Sequence, residues 1–525
     1  MPIRPTRRGV LSAASALAAG TLFPMPRGAR AAGGFERPLG PAEPFGFDRL
    51  KAEARALAAE PYRPTPQRAT DVLDAIDYDA FQQIRFNEAA TVWADRNGPF
   101  PIRFFHLHHY AKDPVRVFLV ERGQARELLY TPDYFCTPSG HPARRLPADI
   151  GFAGFRVMNP EGETDWLAFM GASYFRAPSP EGQFGLSARG VAVDVAMPTP
   201  EEFPRFTHFY FEAVPGEADR IRIYSLLDGP SLTGAYRFDI SKRTGVLMDI
   251  EADLHARTAV ARLGIAPLTS MFWYAEYDRP AVADWRPEIH DSDGLAVWTG
   301  TGERIWRPLN NPRTVKTNSF LDKDPKGFGL LQRDRNFDHY QDDGVFYDRR
   351  PSVYVEPLHA WGEGAIQLVE IPTDDEIHDN IVAYWVPEAP VGPGAALNYR
   401  YRLHWLDDEP YPADLGRTVD TRIGLGGIPG QPRPKGVHKF TVDFEGGGLD
   451  KLTRKDSVEA VVTASRGEID NIAAFNVVSR PRFRAQFDLK AEGPEPVDLR
   501  LYLRRGGKAL TETWLFQYLP PPSAA

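Results

Sequence analysis

Two acidic clusters in this chain have the residue types for acid–base chemistry. The segment Glu288-Ile289-His290-Asp291-Ser292-Asp293-Gly294 packs three carboxylates and an imidazole beside a turn glycine. Such a group could bind a metal, serve as a general base, or cap its own turn through Asx hydrogen bonds, and capping is the expected role on residue type alone. The segment Asp374-Asp375-Glu376-Ile377-His378-Asp379-Asn380 packs four more carboxylates. It lies between the strand-like runs Leu368 to Ile371 and Ile381 to Trp385, where acidic loops are usually just solvated. Asp379 stands next to the strand edge, so apolar neighbours there would raise its pKa and keep it protonated as a general acid. Paired carboxylates of this kind suit glycoside hydrolysis, in which one protonates the leaving oxygen and the other activates the attacker. Asp291 and Asp379 are far apart in sequence, so only folding can bring them together.

A third group, His106, His108 and His109 in Phe104-Phe105-His106-Leu107-His108-His109-Tyr110, would put His106 and His108 on one face of a strand, as zinc ligands can be. No obvious third ligand follows, so the expectation is an exposed or aromatic-packed strand and no metal. Cys136 is the only cysteine, which excludes an intrachain disulfide and a multi-thiolate metal site. It reads as a small buried hydrophobe. No cofactor motif is present, and no cofactor is expected.

These residues must be positioned by β-structure. Runs such as Ile221 to Leu227, Gly234 to Ile240 and Ile366 to Ile371 are short, rich in β-branched and aromatic residues, and separated by Gly, Pro and Asp. Helical composition is confined to an amphipathic stretch from Leu50 to Ala58 and a short one from Tyr78 to Ile84. The Pro/Gly cluster Pro387 to Gly394 marks a boundary. Beyond it, roughly seven short strands, Tyr399 to Trp405 the first, fit an immunoglobulin-like sandwich. The expectation is therefore an all-β protein: a large N-terminal β-sandwich over 34–388 and a smaller immunoglobulin-like β-sandwich over 395–525. The Gly/Pro-rich stretch from Thr418 to Pro434 reads as a loop that could reach over a groove.

At 525 residues with 25% charged and 42% hydrophobic residues, the composition is globular. A net charge of −8 argues against nucleic acid as a partner. Thr6-Arg7-Arg8-Gly9-Val10-Leu11, an apolar run to Phe23 and Ala29-Arg30-Ala31 have the pattern of a twin-arginine signal peptide over 1–31. The apolar run is too short to span a bilayer, which needs about 20 residues. An exported protein that is not an integral membrane protein is expected. Export also argues against nucleotide-sugar chemistry, although Asp291-Ser292-Asp293 is similar to the metal-binding Asp-x-Asp of glycosyltransferases. Aromatics at 12% would suit a saccharide groove, or simply β-sheet packing.

Several longer motifs go further. Ile150 to Arg156, Gly171 to Arg176, Gly185 to Gly190, Leu263 to Phe272, Ile289 to Asp293, Arg307 to Pro312 and Lys326 to Gln332 resemble, in order, the periplasmic glucan biosynthesis proteins of the OpgG/OpgD (MdoG/MdoD) family, D type. The resemblance runs from about Phe47 to Tyr518. It implies a periplasmic protein of osmoregulated periplasmic glucan biosynthesis whose partner is β-1,2-glucan. By position it implies Asp379 as general acid and Asp291 as general base of an endo-acting, anomer-inverting enzyme, with Tyr347 and Glu376 along the substrate and proton-transfer path. Hydrolysis and transglycosylation or cyclisation both remain open, as does a homodimer. The alternative is a non-catalytic glucan-binding scaffold.

Overall fold

A computed structural model describes residues 35–94, 98–214, 216–217, 219–280 and 284–520. The twin-arginine segment lies outside them. The described chain is 47% strand and 9% helix, and the all-β expectation holds.

Two large sheets face each other. One has the strand order Lys316–Lys323, Glu363–Glu370, Ile381–Pro387, Leu263–Ser270, Ser187–Arg189, Tyr174–Arg176, Asp165–Met170, Phe152–Met158 and Ile102–His106. The other is built on the long antiparallel strands Arg205–Ala213, Arg220–Asp228, Leu232–Lys242 and Val246–Ala256. Their inner faces bury Phe155, Phe169, Phe206, Phe209 and Phe238 in one core. A large share of the aromatic residues thus packs between the sheets. The helix Phe47–Ala58 buries Leu50 and Ala54 on the outer face of the second sheet, against Phe118, Tyr210 and Tyr224.

The second sheet does not stop at the expected boundary. Strand Ala396–Leu406, expected in the C-terminal unit, pairs with Val246–Ala256 on one side and Ser352–Pro357 on the other. The Pro/Gly cluster before it is a surface turn within the large unit. Pairing continues through Gly327–Leu331, Gly294–Trp298 and Arg304–Pro308, and then in parallel to the C-terminal strand Thr513–Tyr518 through Trp306 and Trp514. The smaller sandwich closes when Gly416–Leu425, Val437–Gly446, Arg482–Lys490 and Glu468–Val477 cover that extension. Its core includes Trp306, Leu331 and Tyr354 of the large unit together with Phe440, Phe487 and Trp514. Gly294 admits this packing, because a Cβ there would come within 2.2 Å of the Trp306 ring. The stretch from Thr418 lies in strand Gly416–Leu425, which pairs with Val437–Gly446 through a register shift between Thr418 and Asp420 and buries Thr418, Asp420 and Thr421. Only the tip beyond Leu425 turns over.

Cys136, expected to be buried, is exposed on the two-residue strand Phe135–Cys136. Of the two readings of the histidine run, exposed or packed on aromatics, His106 and His108 follow the second. His106 lies against Phe135 at 4.9 Å between ring centroids, and His108 against Phe81 at 4.2 Å. Burial pulls both imidazoles, and that of His208, down to about 4. Their folded pKa values lie below the unfolded value near 6.5, so the stability they contribute is present above about pH 6.5 and is lost as pH falls toward 4. In a histidine-labelled sample, three imidazole NMR signals should stay neutral from pH 7 to pH 5 while exposed ones titrate. Titration of every imidazole near 6.5 would contradict this.

Candidate active site

The site is organised by the segment Ser270–Phe272, where strand Leu263–Ser270 gives way to Phe272–Tyr274. On one side Ser270 pairs with Ile381, and on the other Phe272 pairs with His290. The two acidic clusters are the chain adjoining these partners. Asp291 donates its backbone N–H to the Met271 carbonyl at 2.9 Å. Asn380, the residue after Asp379, accepts from the Phe272 N–H at 2.8 Å and donates to the Phe272 and Ile371 carbonyls at 2.9 Å each. Asp291, through its backbone, and Asn380, through its side chain, are therefore fastened to two consecutive residues. Folding brings the two carboxylates into one neighbourhood.

A buried cation senses both. Arg176, on the short strand Tyr174–Arg176, is pulled down to about 10 by burial, an effect opposed by the negative charges of Asp165, Asp379 and Asp291. Charges act on one another strongly only within about 10 Å at ordinary ionic strength. Asp291 is itself buried, and its Oδ1 lies 3.1 Å from Arg350 Nη1. That contact is an ion pair without hydrogen-bond alignment, because Arg350 Nη1 is directed at the Phe184 carbonyl at 2.7 Å. Burial raises the Asp291 carboxyl above the ordinary range, and Arg350 and then His290 oppose the rise.

The Asp-x-Asp pair divides its work. Asp293 caps, accepting from the Arg333 and Asp334 N–H groups at 2.9 Å each, while Asp291 points its carboxylate at arginine. Below them His290 is fully buried between the Gln332 amide oxygen at 2.9 Å and Glu288 at 3.1 Å. Gln332 donates to the His290 and Tyr347 carbonyls and to the Tyr340 hydroxyl, which fixes its oxygen toward His290. Burial lowers the His290 pKa, but Glu288 and its neighbours outweigh that and the net shift is upward. His290, its proton affinity raised in this way, is the residue next to Asp291.

Glu376 and Tyr347 are brought into the same assembly. Arg286 grips Glu376 with two hydrogen bonds of 2.9 and 3.0 Å, and the buried Tyr347 hydroxyl donates to the same carboxylate. Arg286 also binds Asp342 at 2.7 Å and Asp284 at 2.8 Å. A bidentate arginine and a phenol occupy most of the Glu376 lone pairs, so this carboxylate acts mainly as the anchor of the loop that ends in Asp379. Tyr347 opens the turn Tyr347–Arg349 and stacks under Arg350 at 4.9 Å, and the preceding Phe346 is held at φ 51°, a left-handed conformation that costs a bulky residue free energy.

Sequence reasoning missed Arg176, Arg286, Arg350 and Asn380. The available signal was an arginine inside apolar strand sequence, Tyr174-Phe175-Arg176, since arginine is seldom buried unless paired. Among the described residues one trio has ligand atoms close enough for a metal ion, Glu288, Asp334 and His339, within 4.8 Å. Each already has a partner, His339 on Asp334 and Glu288 on His290. A cavity of 1280 Å³ between the two units is lined by Asp348, Arg349, Arg417, Asp420 and Arg482 but by neither Asp291 nor Asp379.

Residues 45–518 match the family model described as periplasmic glucan biosynthesis protein, MdoG. The chain belongs to this family. It is 52% identical to a glucans biosynthesis protein D 2 from Ralstonia nicotianae, covering 98% of each chain. Identity to glucans biosynthesis protein D of Stenotrophomonas maltophilia is 52%, over 93% of this chain and 92% of the relative, and to that of Xanthomonas axonopodis pv. citri 49%, over 98% of each. A solved polysaccharide lyase aligns with a TM-score of 0.23 at 10% identity, covering 71% of this chain and 45% of its own, which carries no weight for the fold. A role in periplasmic glucan biosynthesis follows from the family. Among the described residues no helix is long and apolar enough to cross a membrane.

The Asn380 clamp is open to a direct test. Asn380→Ala strands buried backbone groups at Phe272 and Ile371, and leaving such groups unsatisfied costs about 1–3 kcal/mol each. Urea unfolding should show a loss of about 2–4 kcal/mol for Asn380→Ala and little change for Asp379→Asn. Equal stability of Asn380→Ala and wild type would contradict the clamp.

Proposed function

We propose that this protein is an endo-acting, anomer-inverting enzyme on β-1,2-glucan in the periplasm, reached by twin-arginine export, that cleaves the chain by hydrolysis or transfers it by transglycosylation or cyclisation. The observation that carries the reading is the fastening of Asp291, and of Asn380 beside Asp379, to the consecutive residues Met271 and Phe272.

In this reading Asp379, half-buried at the end of its loop, gives its proton to the glycosidic oxygen as the bond breaks. Asp291 removes the proton of the attacking hydroxyl or water. Its environment suits a base. Burial lifts its proton affinity, and Arg350 and then His290 oppose that rise. Because Asp291 is 7% exposed, it draws the proton through an intervening sugar hydroxyl, which lets the acid and base stand farther apart than the ~6.5–9.5 Å of ordinary inverting enzymes. Glu376, Tyr347 and Arg286 hold the loop so that Asp379 meets the bond in one geometry. Water as attacker gives a new reducing end. A hydroxyl of the glucan gives a new linkage instead.

The test is incubation of the protein with linear β-1,2-glucan, wild type beside Asp379→Asn, following product size, reducing ends and anomeric configuration. The wild type should yield products of inverted configuration, and Asp379→Asn should lose about 10²–10⁴-fold in rate. Equal glucan processing by both proteins would contradict the catalytic reading and favour a glucan-binding scaffold.

A further inference from the structure

Of the ten tryptophans, nine are buried or half-buried, and Trp285 alone is exposed, at 69%. Its place in the structure is held firmly. The Asp284 carboxylate accepts from the Arg286 N–H at 3.0 Å, closing an Asx turn with Trp285 at its corner. Arg286 is held by Asp284, Asp342 and Glu376, so the backbone on one side of the indole is locked to the acidic loop. The loop repeats the device. Asp375 accepts from the Ile377 N–H at 3.2 Å, and Ile377 is 56% exposed, two residues before Asp379. Trp285–Arg286 and Glu376–Ile377 thus carry two exposed apolar side chains, each next in sequence to one member of an ion pair between the buried Arg286 and the half-buried Glu376.

Leaving an indole in water forgoes a large burial gain, and a rigid turn that does so beside a carboxylate pair has the form of a binding surface. The ring presents an apolar face on a polar rim, the surface on which the C–H face of a pyranose packs while its hydroxyls turn to charged neighbours. We propose that Trp285 is a stacking platform for a glucose unit of the glucan chain, a few sugars from the bond under attack, and that it sets the preference for long chains. This rests on the glucan reading above for the identity of the sugar.

Calorimetry with β-1,2-glucan chains of graded length, in the Asp379→Asn protein with and without Trp285→Ala, tests binding without turnover. Affinity for long chains should fall about tenfold in Trp285→Ala, Trp285→Tyr should recover most of it, and chains of two or three sugars should bind the variants and the parent alike. Where the wild type turns over, KM should follow the same pattern with kcat nearly unchanged. Unchanged long-chain affinity in Trp285→Ala, with the parent binding normally, overturns the platform and leaves the glucan reading standing. No binding by the parent overturns both.

Discussion

Everything at this site depends on two consecutive residues, Met271 and Phe272, being gripped from opposite sides by backbone-directed hydrogen bonds. The Asp291 N–H takes the Met271 carbonyl, and the Asn380 side chain satisfies both polar groups of Phe272. Buried peptide groups must be paired, so these bonds cannot be surrendered without stranding donors and acceptors away from water. A kinked strand junction consequently becomes a ruler. It converts two loops distant in sequence into one constellation whose spacing is fixed by peptide geometry and not by long side chains.

Charge balance forms the second layer. Three arginines, Arg176, Arg286 and Arg350, and the His290 imidazole stand among Asp291, Asp379, Glu376, Asp342 and Glu288. Each cation has a different task. Arg286 ties three carboxylates together, Arg350 spans Asp291, the Phe184 carbonyl and the Tyr347 ring, and Arg176 sits in the field of both aspartates. Unpaired buried charges would be prohibitive, and pairing lets the site keep several carboxylates close while giving each its own environment. The smaller sandwich adds rigidity from behind: Arg333, whose N–H is capped by Asp293, pairs with Glu512 at 2.6 Å and stacks on Trp306.

Much of this was legible in the sequence, and the parts that were not share a physical reason. The β-rich class followed from alternating runs, and both acidic clusters stood out by composition. Their roles did not. Asp293 caps and Asp291 does not, yet the two have the same residue type and the same turn, and only the partners Arg333 and Arg350 distinguish them. Asn380 reads as one more polar loop residue until Phe272 is brought against it. Strand Ala396–Leu406 followed a Pro/Gly cluster and so looked like the start of a new unit, but pairing register is decided by tertiary neighbours and carried it into the middle of the large sheet. Thr418 to Leu425 looked like loop because glycine and proline crowd its end, and it is pairing with Val437–Gly446 that makes it a strand.

The most direct test of the shared constellation is a crystal structure of Asp379→Asn with a bound β-1,2-glucan oligosaccharide. The account predicts a glycosidic oxygen within hydrogen-bond distance of residue 379, and a sugar hydroxyl or water linking the attacking position to the Asp291 carboxylate. A chain bound wholly in the cleft between the two units, contacting neither aspartate, would contradict it.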